Sequence, residues 1–258
     1  MRAIPLLLLA AAGLAPPAPG APPARELRIA AASDLKFALE EVLSASGGAE
    51  RGPRPVVTYG SSGSFFAMIE NGAPFDLFLS ADADYPRRLA RKGLADGEVF
   101  LYARGRLALW VPASSRLDVG TRGLRALLDP SVRTIALANP RHAPYGRAAE
   151  AALRSLGLYE AVRRKLVLGE NVAQAAQFVE SGAADAGLLA LSLARSPRMR
   201  AAGRHVEVPP SSYPGIVQGG IVLKGARERA GAIALRDLLV GPRGREVLLR
   251  HGFAPPPR

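Results

Sequence analysis

Short apolar segments rich in Ile, Leu and Val recur along the whole of this chain. They are "ELRIAAA" from residue 26, "RPVVTY" from 54, "FDLFLSA" from 75, "RLALWVP" from 106, "RTIALAN" from 133, "KLVLGE" from 165, "DAGLLAL" from 185 and "GGIVL" from 219. Several are almost continuous in apolar residues, which is the pattern of strands buried on both faces. Between them the apolar positions fall three and four apart. "DLKFALEEVLSAS" carries Leu35, Ala38, Leu39, Val42 and Leu43 on one helical face, and "GRAAEAALRSLG" carries Ala148, Ala152, Leu153 and Leu156. Each ends near Gly or Ser, as a helix should. Strands alternating with helices predict an α/β fold of mostly parallel sheets flanked by helices. No internal repeat is visible.

In such folds ligands sit beyond the carboxyl ends of the strands, where a short loop feeds the next helix. Four junctions of that kind stand out. "LRIAAA" runs into Ser33 and Asp34, and "VVTY" into Gly60, Ser61, Ser62 and Gly63. "TIALAN" runs into "PRHAPYG", and "LVLGE" into Asn171 and Val172. Each presents a helix N-terminus with unpaired backbone N–H groups and a positive dipole end. Such ends, brought together, bind an anion without a cationic side chain. Ser33 and Ser62 also suit plain N-caps.

The leader "MRAIPLLLLAAAGLAPPAPGAPPAR" changes where the chain is expected to work. Its apolar run from Ile4 to Leu14 is shorter than the roughly 20 residues a membrane span needs, and Pro16, Pro17 and Pro19 end it. It reads as a secretory signal over residues 1–20, cleaved near Gly20, and the remainder as an exported protein of the periplasm. The chain has 0 Cys, which excludes both disulfides and a lipid-modified N-terminal Cys. At 258 residues there is room for one large domain or two small ones. The net charge of +12 invites a nucleic-acid reading, but the Arg residues of "YPRRLARKG" and "YEAVRRKL" are scattered over solvated helix faces without aromatic interleaving. No nucleic-acid partner is expected.

Other chemistries are weaker. Ser33-Asp34-Leu35-Lys36 fits S-x-x-K, in which the Lys activates the Ser for acyl transfer, but the companion S-D-N and K-T-G elements are missing. Gly60-Ser61-Ser62-Gly63 is one residue short of a nucleophile elbow. His142, His205 and His251 are far apart and read as surface or capping residues. No catalytic residue, cofactor or bound metal ion is expected.

The stretches "AASDLKFALEEV", "YGSSGSFFAMIENGAPFDLFLSAD", "ANPRHAPYGRAAEAAL", "GENVAQAAQFVESGAADAG" and "GPRGREVLLRHGF" together resemble the periplasmic molybdate-binding proteins of ABC importers. The resemblance runs in order from Leu27 to Phe253, and Gly72 to Asp82 is its most specific part. It implies a two-domain clamshell of the type II periplasmic binding protein kind, with residues 26–104 and 216–258 in domain 1 and 105–215 in domain 2. It implies oxyanion contacts from Ser33 and Ser62 in the first domain, and from the backbone N–H groups of Tyr145 and Val172 in the second. Asp34, Ser61, Asn171 and Ala190 would stand behind them. Molybdenum would enter only inside its oxyanion, molybdate or tungstate, whose oxygens meet these residues. Sulfate, phosphate or thiosulfate are alternative ligands, and an exported serine hydrolase using Ser33 and Lys36 is the alternative from another class. The implied partner is an inner-membrane permease, and the implied state a monomer.

Two departures from the family pattern follow. Some members carry a Tyr hydroxyl on the anion where this chain has Ala190, and the Tyr145 phenol is a candidate to replace it from another direction. Asp34 reads either as a first-turn acid favoured by the helix dipole, or as an acceptor for a protonated oxyanion such as hydrogen phosphate.

Overall fold

The structure, a computed structural model, describes residues 25–45 and 52–257. The signal segment read over residues 1–20 lies outside the described residues. β1 (Glu26–Ala32) leads through a 3-10 turn, Ser33–Leu35, into α1 (Lys36–Ser44). β2 (Arg54–Gly60) leads into α2 (Ser62–Glu70), and β3 (Leu77–Ser80) into α3 (Asp84–Arg91). β4 (Phe100–Gly105) and β5 (Leu107–Pro112) are separated only by Arg106, yet they belong to different sheets.

The second part of the chain holds α4 (Val119–Arg122), β6 (Ile135–Ala138), α5 (Pro144–Ser155), α6 (Tyr159–Val162) and β7 (Leu166–Gly169). It continues with α7 (Val172–Glu180), β8 (Ala186–Ala190), α8 (Leu191–Ala194), α9 (Pro197–Ala202) and β9 (Gly203–Glu207). β10 (Ile216–Val222) then rejoins the first sheet, followed by α10 (Arg229–Val240) and α11 (Pro242–Arg250).

The sheets have the strand orders β2-β1-β3-β10-β4 and β7-β6-β8-β5-β9. In each, the first three strands are parallel and the fourth, β10 or β5, is antiparallel to both neighbours. The path of the chain explains the reversed strand. The other strands end at the cleft between the sheets, so a strand that enters its sheet by crossing that cleft has to run away from it.

The near-continuous apolar runs have the cause expected of them. In the first sheet Ile29, Ala31, Leu77, Leu79 and Val222 face a cluster with Leu35, Leu39, Leu235 and Phe253 on one side. Their neighbours Ala30, Phe78 and Ile221 face Phe65, Phe66 and Leu89 on the other. Alternate residues thus enter separate cores, because helices cover both faces. In the second sheet a single cluster surrounds Trp110, whose Nε1 donates to the Met199 carbonyl at 3.2 Å.

Sequence periodicity did not predict β4, "FLYARG", or β9, "GRHVE". Both are edge strands, so each needs only partial burial and tolerates Arg104, Arg204 and His205 among its apolar positions.

Candidate functional site

Ser33, Asp34, Ser61, Ser62, Tyr145, Asn171 and Val172 all line one small cavity of about 10 Å³ between the two sheets. Ala190 does not line it; it is fully buried where β8 pairs with Leu107 of β5. The four strand-to-helix junctions marked in the sequence therefore converge, two from each domain.

The local structure shows what each residue has left to offer. Ser61, not Ser62, is the N-cap of α2, accepting from the Ser64 N–H at 3.3 Å. Ser62 follows as the first helical residue, and its Oγ accepts the Ala81 N–H at 2.9 Å. That bond occupies a lone pair and leaves the hydroxyl proton free to donate. Ser33 makes no side-chain cap; its Oγ accepts the Ala173 N–H from the opposite domain at 3.4 Å. Neither serine is merely a cap.

Asn171 caps α7, accepting from Ala173 at 3.0 Å and Gln174 at 3.1 Å, which makes Val172 the first helical residue. α5 starts with Pro144 at its first position, where a missing N–H costs nothing, and Tyr145 comes next. As first-turn positions, Ser62, Tyr145 and Val172 have N–H groups with no acceptor inside their own helices. Their common surroundings contain no Lys, Arg or His. The cavity is thus a converging set of neutral donors at positive dipole ends.

Asp34 is the exception in that set. It is 1 % exposed. Its Oδ2 accepts the Tyr145 hydroxyl at 2.9 Å and the Gln218 side-chain amide, and its backbone carbonyl accepts the Ser192 hydroxyl at 2.7 Å. Burial pushes the carboxyl up to about 6, with the Gln218 and Tyr145 hydrogen bonds pulling the other way. Burial first, and then the Asp34 charge, hold the Tyr145 and Tyr102 phenols well above the ordinary tyrosine range.

The phenol of Tyr145 is thereby engaged by Asp34, which corrects its reading as a replacement for the hydroxyl missing at Ala190. Asp34 stands in the first turn after β1, as one of its two readings had it, and it also joins α5 of the second domain to Gln218 of the first. Gly105, at the end of β4, makes room for the network. A Cβ there would lie 2.2 Å from the Tyr145 Oη and 2.9 Å from the Gln218 Nε2.

The rim of the cleft is closed by polar contacts between the domains. Ser61 Oγ lies 2.9 Å from His142 Nδ1, and Ser64 donates to Glu170 at 2.9 Å. Arg147 reaches Asp82 at 2.5 Å and the Tyr85 hydroxyl at 3.2 Å. Gly63 belongs to this contact. Its N–H donates to the His142 carbonyl at 2.9 Å, and a Cβ there would sit 2.6 Å from that oxygen. His142 is thus a bridging residue, beyond the surface or capping role read for it.

Gln218, Gly105 and Ser192 were not marked by sequence reasoning. The available signal was Gln218, a lone amide within the apolar run "IVQGGIV". Lys36, the candidate activator of Ser33, is exposed at the start of α1 with its Nζ over the Phe37 ring, 5.9 Å from its centre. Among the described residues no group of three or more His, Cys, Asp or Glu is placed to hold a metal ion.

The family model described as bacterial extracellular solute-binding protein matches residues 27–254. The molybdate-binding protein ModA of Azotobacter vinelandii is 35 % identical over 231 residues, covering 89 % of this chain and 90 % of that protein. The ModA of Rhodobacter capsulatus is 38 % identical over 200 residues, covering 76 % of this chain and 77 % of the relative. The solved periplasmic molybdate-binding protein of A. vinelandii superposes with a TM-score of 0.82 at 32 % identity, covering 90 % of this chain and all of that one.

Proposed function

The chain belongs to the bacterial extracellular solute-binding protein family, and from that premise we propose that it captures molybdate in the periplasm and delivers it to the permease of an ABC importer. The single observation that carries the ligand class is the cavity in which Ser33, Ser62, Tyr145 and Val172 converge from both domains without any cationic side chain. Molybdate near neutral pH is a fully deprotonated dianion and only accepts hydrogen bonds. A set of N–H and O–H donors therefore matches all of its oxygens. Hydrogen bonds to an ionised acceptor contribute about 1.5–3 kcal/mol each.

Each proposed donor is oriented before the anion arrives. The Ala81 and Ala173 N–H groups turn the Ser62 and Ser33 hydroxyl protons away from themselves, and the caps Ser61 and Asn171 hold the first turns of α2 and α7. Because donors come from both domains, the anion bridges them and favours the closed arrangement, which a permease can distinguish from an open one. Phosphate retains a proton near neutral pH, which N–H and O–H donors cannot accept; the acceptor on the cavity wall is Asp34, whose Oδ2 already takes two donors while Oδ1 has no partner. Where Asp34 itself carries a proton, the phosphate proton is left unpaired at a cost of about 1–3 kcal/mol. Tungstate has the same charge and hydrogen-bonding role and is expected to bind as molybdate does. A monomer is sufficient for this role.

Isothermal titration of the purified protein with molybdate, alone and then in a large excess of sulfate and phosphate, tests the reading. One-to-one binding that survives both competitors is the expected result. Displacement by either would reassign the ligand, and absence of binding would remove the oxyanion reading.

A further inference from the structure

A buried carboxyl lines a cavity proposed to hold a dianion, and nothing around it supplies a positive charge. Every element packed against Asp34 is neutral where it meets it. α5 presents the Tyr145 phenol, β4 the Tyr102 phenol, β10 the Gln218 amide and α8 the Ser192 hydroxyl. The first turn of α7 presents Val172, which lines the same cavity, and Ala173, whose N–H meets Ser33. Lys36, two residues along the chain, is exposed, and no ion pair to Asp34 exists among the described residues. The backbone N–H groups of Asp34 and Leu35 act on the carboxyl from its own turn, yet Asp34 Oδ1 and Gln218 Oε1 are buried with no hydrogen-bond partner of good geometry. One proton on the carboxyl would supply a donor to a network short of one, and would remove a negative charge from the wall of the anion cavity.

We propose that Asp34 is the residue that matches the site to a doubly charged ligand, by taking up a proton from solvent as the anion enters and releasing it as the anion leaves. The proposal rests on the oxyanion reading of the cavity. The carboxyl of the anion-free protein is pushed up to about 6 by burial, and a dianion beside it raises it further. At pH values above 6 the empty site therefore holds an ionised Asp34, and the loaded site a neutral one. Proton uptake on binding makes affinity fall as pH rises, with a limiting slope of tenfold per pH unit.

The test is isothermal titration with molybdate at pH 6.5, 7.0 and 7.5, each in two buffers of different ionisation enthalpy. The expected result is an uptake approaching one proton per anion, read from the buffer dependence of the heat, with a matching loss of affinity toward pH 7.5. Asp34→Asn, which keeps an acceptor for the Tyr145 hydroxyl but cannot titrate, is expected to bind with heats independent of buffer and affinity independent of pH. Molybdate binding by the unaltered protein without proton uptake overturns the proposal and leaves the oxyanion reading intact, whether or not the variant folds. No molybdate binding in any buffer overturns both. Should phosphate bind without proton exchange and Asp34→Asn abolish that binding, Asp34 is an acceptor for a protonated ligand, and the proposal is wrong.

Discussion

The two domains answer each other strand for strand. β2-β1-β3-β10-β4 and β7-β6-β8-β5-β9 share one pattern of parallel and antiparallel neighbours, and each domain turns two strand ends into the proposed site. The donors differ in kind. The first domain offers serine hydroxyls that each already accept an N–H. The second offers N–H groups from the first turns of α5 and α7 behind a proline and an asparagine cap. A shared topology thus fixes where the donors stand, while the residues at each junction decide what they are. A repeat in architecture therefore leaves no repeat in sequence.

The largest way to break the comparison is at the crossing between the domains. Gly105→Ala drives a methyl into the Tyr145 hydroxyl and the Gln218 amide. The overpacking costs about 1–3 kcal/mol, and the disturbed buried bonds add about 1–3 kcal/mol more. A thermal unfolding midpoint within a degree of the unaltered protein would show that the slot is not needed.

Next come the donors themselves. Val172→Pro removes one N–H at a first-turn position whose preceding residue is already extended, with Asn171 at φ −146° and ψ 176°. Ser62→Ala removes one hydroxyl. Each is expected to weaken molybdate binding by about 1.5–3 kcal/mol, roughly 10- to 150-fold. Ser62→Ala is also expected to lower stability, because the Ala81 N–H loses its acceptor. Equal losses of affinity would show that the two kinds of donor are interchangeable; loss from one domain only would break the symmetry.

Asp34 sharpens the comparison, since the second domain has no buried carboxyl in its half of the cavity. Its folded value of about 6 stands above the ordinary 3.8. Between these the folded chain holds a proton that the unfolded chain has released, so this group makes stability fall as pH rises from about 4 to about 6, then level off. Asp34→Asn should gain on the unaltered protein across that window, by at most about 3 kcal/mol above pH 6. Denaturant unfolding at pH 4 and pH 7.5 measures the difference, and an equal effect at both would contradict it.

The smallest effect belongs to the rim. Arg147→Ala removes the contacts to Asp82 and Tyr85, but these side chains are 39 % and 31 % exposed in the Arg147–Asp82 pair. A contribution of about 0–1 kcal/mol is expected, visible as a few-fold faster anion release in stopped-flow measurements.

Much of the fold was legible because burial on both sheet faces writes itself into long apolar runs. The positions that line the cavity were legible because strand ends that feed helices are few, and Ser, Pro and Asn mark them. The edge strands β4 and β9 were not, since one-sided burial permits arginines. The partner of Asp34 was not legible either. Nothing local separates a carboxylate at a helix start that faces water from one that meets a tyrosine 111 positions away.

By itself the sequence determined the alternating α/β elements, the four junctions, and the side chains and N–H groups each could offer, because these depend on spacing and neighbours along the chain. Only the tertiary structure decided that the junctions face one another, that Ser61 and not Ser62 caps its helix, and that Asp34 is sealed between Tyr145 and Gln218. Those outcomes depend on what lies across the cleft. Removal from water, which pushes the Asp34 carboxyl up to about 6, belongs to the assembled domains and to no segment of the chain.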